Sequence, residues 1–438
     1  MSWKPVGRHA EPCLRTNRPN DDRPIAMTDS TKIRAADRYH GLDFVRASMM
    51  MLGVVLHTAL VYQENWWIYQ DPDRVSWAGG LVSMIHVFRM STFFVMAGFF
   101  GAMLYERRGT LVFLKHRFVR IVIPLIVGSV VIYVLMGWSL SFAYTHAAIL
   151  PKAVGGQIDS IVQSFRIMSL HIEWGEFNTM HLWFLYDLVW LYAAAVLISL
   201  VVSRCGPLGG WLGWLTSKAF QGPTRYLTPI ALALIFFAFL LGMEQPGVDT
   251  AFGWVPDWYI LATYAVPFGA GWLAWDYREI IEDLKRWCWL LLALAVPLLG
   301  LANQTASEWH AAGKDPQVLI WAQFFSAAAC WTVILALAGC SERLLTKPNP
   351  TVRYLVDASY WIYLAHMPLT FFVPALFRYW QVDGSLKMLV SIVITTIILL
   401  VTYHLFVRST PIGVVLSGRR YPAWPLGRIL RREPPATE

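Results

Sequence analysis

A chain of 438 residues that is 56% hydrophobic and only 15% charged, with a mean hydropathy of +0.47, is too apolar for an ordinary soluble protein, in which about 25% of residues are charged. Its formal charge of +8 invites a nucleic-acid partner, but the basic residues are distributed as a membrane-topology signal, and nucleic-acid binding has no independent support. Five cysteines, Cys13, Cys205, Cys288, Cys330 and Cys340, form no CxxC pair and no metal-ligand spacing, which argues against a disulfide framework.

Residues 1–39 are rich in Arg, Pro, Asp and Asn without periodicity and predict a largely disordered cytoplasmic tail, unlike the short basic region of a cleavable signal peptide. Residues 40–64, HGLDFVRASMMMLGVVLHTALVYQE, predict the first membrane helix, with Arg46 near its start and His57 near its end. Eleven positions, at ~1.5 Å and ~100° each, put these two side chains ~16 Å apart in depth and within about 20° on one face. Two ionisable groups on one stripe of an apolar segment imply a protein-lined or wet interior face.

A short loop with Asp71, Pro72 and Asp73 leads to a second helix over 78–104, where His86 and Arg89 are near neighbours on one face. Arg89 lies too deep to reach either surface easily and needs a partner. The basic connection 105–117 feeds a third helix over 118–140, with Pro124 in its first turns. Residues 141–180, with His171, Glu173 and Glu176, form the longest insertion, expected in the periplasm as a surface helix or lid. The fourth helix starts at His181 and carries Asp187 into the apolar zone. Further spans are expected over 226–243, 256–276, 287–303, 318–340, 351–377 and 386–407, whereas 207–216 is too short to cross and its two Trp suit the interface. Residues 409–438 are expected as an extended, basic cytoplasmic tail.

The fold class is therefore all-α, a polytopic integral membrane protein with about ten transmembrane helices forming a domain over 40–408. Ten spans put both termini on one side, and 28 of the 36 Lys and Arg fall on that side against 6 on the other, with Arg46 and Arg89 inside spans. By the positive-inside rule both termini are cytoplasmic.

The ionisable residues then sort by depth. Arg46, Arg117 and Arg120 share the cytoplasmic surface; each singly serves as a snorkelling anchor, and as a set they suit the phosphates of a large anionic donor. His57, His86, His181, His366 and Asp187 lie from the middle to the outer side. Neutral imidazole suits a general base that takes a proton from a hydroxyl attacking a carbonyl, while for each histidine alone a structural hydrogen bond is an equal reading. Asp187 either orients such a base, pairs with Arg89 or packs structurally. A metal is poorly supported, since no HxxxH or HExxH pattern is present.

The Arg46 and His57 pair, with ten residues between, resembles the hallmark of the membrane-bound acyltransferase family 3, and Arg117 and Arg120 resemble its RxxR element. FFVMAGFF (93–100), IPL (123–125), HLWFLYDL (181–188), SYWIYLAHMP (359–368) and FVRSTPIGVVLSGRR (406–420) are similar to the glucans biosynthesis protein C group within that family. The resemblance implies a multi-pass protein of the bacterial inner membrane that transfers an acyl group from cytoplasmic acyl-coenzyme A to a glycan hydroxyl on the periplasmic side. Succinyl-CoA would be the donor and an osmoregulated periplasmic glucan the acceptor, with acetyl-CoA and another envelope glycan as the alternative. Arg46, Arg117 and Arg120 would hold the donor's phosphates. His57 would act as general base, and Arg89, His86, His181 or His366 would stabilise the oxyanion. No permanently bound cofactor is implied, and glucan-synthesis proteins are candidate partners. No GxSxG elbow favours a covalent intermediate. A transporter or flippase is the competing class, because interior charges on many helices also describe a substrate path; thioester consumption separates the two. A non-catalytic scaffold would leave the interior charges hard to justify.

Overall fold

The computed structural model of the chain describes residues 39–149, 177–419 and 421, and every element in it is helical. In chain order the α-helices are α1 His40–Tyr62, α2 Ala78–Arg117, α3 Ile123–Ile149, α4 Trp183–Arg204, α5 Gly206–Phe220, α6 Thr228–Leu240, α7 Trp258–Asp276, α8 Ile280–Ala311, α9 Pro316–Leu344, α10 Pro350–Leu376, α11 Gly384–Thr402 and α12 Pro411–Ser417. Among the described residues six segments are long and apolar enough to cross a membrane: His40–Tyr62, Ala78–His146, Met180–Arg204, Ile280–Ala311, Pro316–Leu344 and Gly384–Val407. At 13 residues α6 is shorter.

Helix starts follow from local chemistry. Asn349 accepts from the amides of Thr351 and Val352 at 2.8 and 3.2 Å, and Pro350 supplies a first helical residue that needs no donor. Asp257, Asp315 and Asp383 cap α7, α9 and α11 in the same way. A 69-residue stretch such as Ala78–His146 would be ~100 Å long if straight. Instead Gly109 (φ 72°, ψ 172°) breaks α2, and Arg117 Nη2 comes back to within 3.4 Å of the Phe100 carbonyl. A π-helical turn, Phe118–Val122, then leads into α3.

Three sequence expectations need correction. The third helix starts with the π-helical turn Phe118–Val122 and continues to Ile149 rather than ending at 140, so the insertion begins later than residue 141. The cause is packing: Phe142 is fully buried, 4.7 Å from Phe372 and 5.2 Å from His146, which continues the helix past its most apolar part. His171, Glu173 and Glu176 lie outside the described residues. The C-terminal tail is not extended throughout, because α12 forms between Pro411 and a left-handed Gly418 (φ 71°). The stretch 207–216 sits within α5, a 15-residue helix too short to cross.

At the centre, α1 packs on α10, α2, α9 and α11, and is buried over much of its length. Two close helix contacts depend on glycine. A Cβ at Gly98 would collide with the Phe268 carbonyl of α7, and one at Gly271 with the Val95 carbonyl of α2. The 63–77 loop is tied down by a fully buried Lys387, whose Nζ lies 2.5 Å from Asp73 Oδ2, 3.5 Å from Asp71 Oδ1 and 2.9 Å from the Arg378 carbonyl. Burial pushes the Asp71 carboxyl up despite that cation.

Candidate active site

The connections α1–α2, α6–α7 and α8–α9, together with the entry to α4, meet at one end of the bundle around a cavity of about 1140 Å³. His57, His86, Arg89 and His181 all line it. His366 is fully buried behind them, its ring centroid 5.2 Å from that of His57 and 5.0 Å from that of His181. Four helices or their entries, α1, α2, α4 and α10, therefore contribute to one cluster.

The backbone of α10 fixes two of these imidazoles. A carbonyl only accepts, so the 2.7 Å approach of His366 Nδ1 to the Tyr363 carbonyl puts the proton on Nδ1 and leaves Nε2 as a lone pair in the neutral ring. Likewise His181 Nε2 lies 3.2 Å from the carbonyls of both Tyr363 and Leu364, which leaves its Nδ1 free. The Tyr363 hydroxyl donates in return to the His181 carbonyl at 2.9 Å. His366 Nε2, His181 Nδ1 and His57 Nδ1 are buried without hydrogen-bond partners among the described residues. His57 itself is half-buried and faces the cavity.

Arg89 is 6% exposed, its Nε has no hydrogen-bond partner, and no carboxylate among the described residues forms an ion pair with it. The alternative that Arg89 pairs with Asp187 is therefore not realised. Asp187 is buried near the start of α4, its Oδ2 unpartnered, and does not line the cavity. Gly53 explains how Arg89 and His366 come so near α1: a Cβ there would sit 3.4 Å from Arg89 Nη2 and 3.3 Å from His366 Nε2. A buried guanidinium beside an open cavity is a site built for negative charge on whatever enters.

The opposite end of α1 holds the arginine set. Arg46 pairs with Asp43 at 3.1 Å and lies over the Phe100 ring at 5.3 Å, while Arg117 reaches the Phe100 carbonyl and lies over Tyr192 at 4.4 Å. Arg120 donates to the Leu416 carbonyl at the end of α12, and its own carbonyl accepts from Tyr360 at 2.5 Å. The three guanidiniums are near enough to act on one another by charge. Between the two poles the interior is packed with Met49, Met50, Phe93 and Tyr363, all buried. No group of three His, Cys, Asp or Glu among the described residues is arranged to hold a metal ion.

Several residues in and around the site have no role in the sequence reading of it. Tyr363 is one; its spacing three residues before His366 was the available signal. Gly53, Trp66, Glu244, Asp249 and Lys314 are others. The loops that bear Trp66, Glu244, Asp249 and Lys314 carry no motif, so only the folded chain assembles them.

Membrane-length apolar helices around a cavity lined by His57, His86, His181 and by Arg89, which has no ion pair among the described residues, define a polytopic membrane protein with an internal polar cavity. The chain belongs to the acyltransferase 3 family, whose model, described as an acyltransferase domain, matches residues 39–404. Glucans biosynthesis protein C from Salmonella paratyphi B (strain ATCC BAA-1250 / SPB7) is 25% identical over 410 residues, covering 88% of this chain and 96% of the relative. The same protein from Salmonella enteritidis PT4 (strain P125109) matches at the same identity and coverage. No solved structure matches the chain. It is thus a multi-pass membrane protein of the acyltransferase class, consistent with the bacterial inner membrane.

Proposed function

We propose that this protein transfers a succinyl group from succinyl-coenzyme A at the cytoplasmic face to a hydroxyl of a periplasmic glucan. In this scheme α2 and α3 cross separately, α7 and α10 also cross, the 3-10 turn Pro223–Tyr226 lengthens the 13-residue α6 into a further crossing, and the ten crossings leave both termini in the cytoplasm. Arg46, Arg117 and Arg120 hold the donor's phosphates, and the thioester reaches the cluster at the floor of the cavity from the arginine pole once the buried Met49, Met50, Phe93 and Tyr363 side chains between the poles move aside. His57 removes the proton from the acceptor hydroxyl as its oxygen bonds to the thioester carbon. The carbon–sulfur bond breaks, and the thiolate takes that proton back from His57 as coenzyme A leaves. Arg89 stabilises the oxyanion of the tetrahedral intermediate, with His86 and His181 at the cavity wall and His366 setting the geometry behind.

The observation that carries this reading is the convergence of His57 with Arg89, a buried cation that has no carboxylate partner among the described residues, on the same cavity. Such a cation is costly unless an anion completes it, and a developing oxyanion does so only during reaction. The likeness to proteins named glucans biosynthesis protein C supports the choice of a glucan acceptor. Mass spectrometry of periplasmic glycans from matched cells with the wild-type protein, with His57→Ala and without the protein tests it. Succinyl esters present only with the wild type are expected. A missing acetyl ester would keep the chemistry and change the donor, and no missing acyl group would refute acyl transfer.

A further inference from the structure

The mouth of the cavity carries features that the acid–base cluster does not use. Trp66 is 80% exposed and lines the cavity, yet the loop that bears it is held rigidly. Its neighbour Trp67 stacks on Phe371 with an interplanar angle of 9°, Tyr144 donates to the Ile68 carbonyl, and Arg74 donates to the Gln63 carbonyl at 2.9 Å. The buried Lys387 cluster anchors the far end of the same loop. An indole left uncovered on a fixed support gains nothing from folding and is ready to cover a ligand without ordering cost.

Across the mouth lie Glu244 and Asp249, and Asp249 Oδ1 is buried without a hydrogen-bond partner among the described residues. Backbone strain points to the same place. Among the described residues only Met180 (φ 44°) and Lys314 (φ 67°) are non-glycine residues with positive φ, and both line this cavity. Each costs of order 1 kcal/mol or more, and such strain collects at ligand sites. The Lys314 ammonium is 5.7 Å from the Trp309 ring centroid, so the cation at the mouth already has a partner.

We propose that the mouth is a binding subsite for a neutral oligosaccharide, with the Trp66 indole stacked on the C–H face of one sugar ring and Glu244 and Asp249 accepting from its hydroxyls. The chemistry fits that class. A pyranose offers an apolar face and several donors, which an exposed indole and carboxylates satisfy together, whereas an anionic chain would meet two carboxylates. A volume of about 1140 Å³ exceeds the usual range of ~300–1,000 Å³ for small-ligand sites and leaves room for more than one sugar. The assignment rests on the acyl-transfer reading for its acceptor, but sugar binding is measurable without any donor.

Binding of a neutral glucose oligosaccharide to the purified full chain, followed by isothermal titration, tests it in wild type, Trp66→Ala, Trp66→Phe and Asp249→Asn. Trp66→Ala is expected to weaken binding about tenfold, equal to ~1.4 kcal/mol, with Trp66→Phe near wild type and Asp249→Asn intermediate. In transfer kinetics the acceptor KM rises in Trp66→Ala while the donor KM does not. Unchanged affinity in Trp66→Ala, as a membrane-anchoring indole would give, overturns the proposal. So does tighter binding of a carboxylated oligosaccharide than of the neutral one. Sugar binding that depends on Trp66 in a protein that transfers no acyl group would support this subsite and refute the acyl-transfer reading alone.

Discussion

Gly53→Ala separates stability from chemistry with opposite signs. Residue 53 is inside α1, where replacing glycine by alanine favours the helix by ~1 kcal/mol. The new methyl would stand 3.3 Å from His366 Nε2 and 3.4 Å from Arg89 Nη2, slightly inside ordinary contact, so these side chains must yield by a few tenths of an ångström. A misplacement of about 1 Å at a catalytic centre costs ~100-fold, so a shift of this size is expected to cost about tenfold in kcat, ~1.4 kcal/mol at the transition state. Thermal unfolding of the detergent-solubilised protein and steady-state transfer from labelled acyl-CoA measure the two effects. The expected result is an equal or higher unfolding midpoint with a several-fold to tenfold lower kcat. A raised midpoint with unchanged kcat would refute the claim that Arg89 and His366 are positioned for catalysis beside Gly53.

Asp187→Asn removes a buried carboxylate that has no ion pair with Arg89, so stability is expected to hold or rise by ~1 kcal/mol; a loss of ~3–5 kcal/mol in a denaturation series would mean that the pair exists after all. Lys387→Met strands the buried Asp71 and is expected to cost ~3–5 kcal/mol, largely restored by adding Asp71→Asn, and failure of the double variant to recover would refute the anchoring role. Because burial pushes the Asp71 carboxyl up, the protonated form is the better tolerated one, so the Lys387→Met deficit is present near neutral pH and should shrink as the pH falls toward the carboxylate range, read as the unfolding midpoint against pH. Arg46→Ala is expected to raise the donor KM about tenfold with the acceptor KM unchanged, since its side chain is 34% exposed at the pole opposite the cavity; an unchanged donor KM would remove Arg46 from donor binding.

Depth along single helices was legible in the sequence. Most expected spans agree with the observed helices within a few residues, because long apolar runs bounded by Asp, Asn, Pro and Gly leave little choice of ends. The Arg46 and His57 stripe likewise follows from helical geometry within one element. Arrangement between helices was not legible. The sequence sorts His181 and His366 to similar depths, but the contact through the Tyr363 carbonyl depends on how α10 sits against the entry to α4. For the same reason Asp187 and Arg89, both placed in the apolar zone by the sequence, were open to pairing and are not paired. The return of the chain at Gly109 and the extension of α3 through Phe142 depend on tertiary contacts that outweigh local apolarity. Trp66 belongs to no sequence motif, and only its exposure on a pinned backbone distinguishes it.

The most direct test of the central claim uses the purified protein in proteoliposomes with labelled succinyl-CoA supplied only on the side of the Arg46 pole and a neutral glucan only on the other. Wild type is expected to form an ester-linked succinyl glucan with release of free coenzyme A, and His57→Ala, shown to be folded by its unfolding midpoint, is expected to form none. Succinyl glucan made at the wild-type rate by His57→Ala would contradict the role of His57, and glucan or thioester crossing the membrane unmodified would contradict acyl transfer itself.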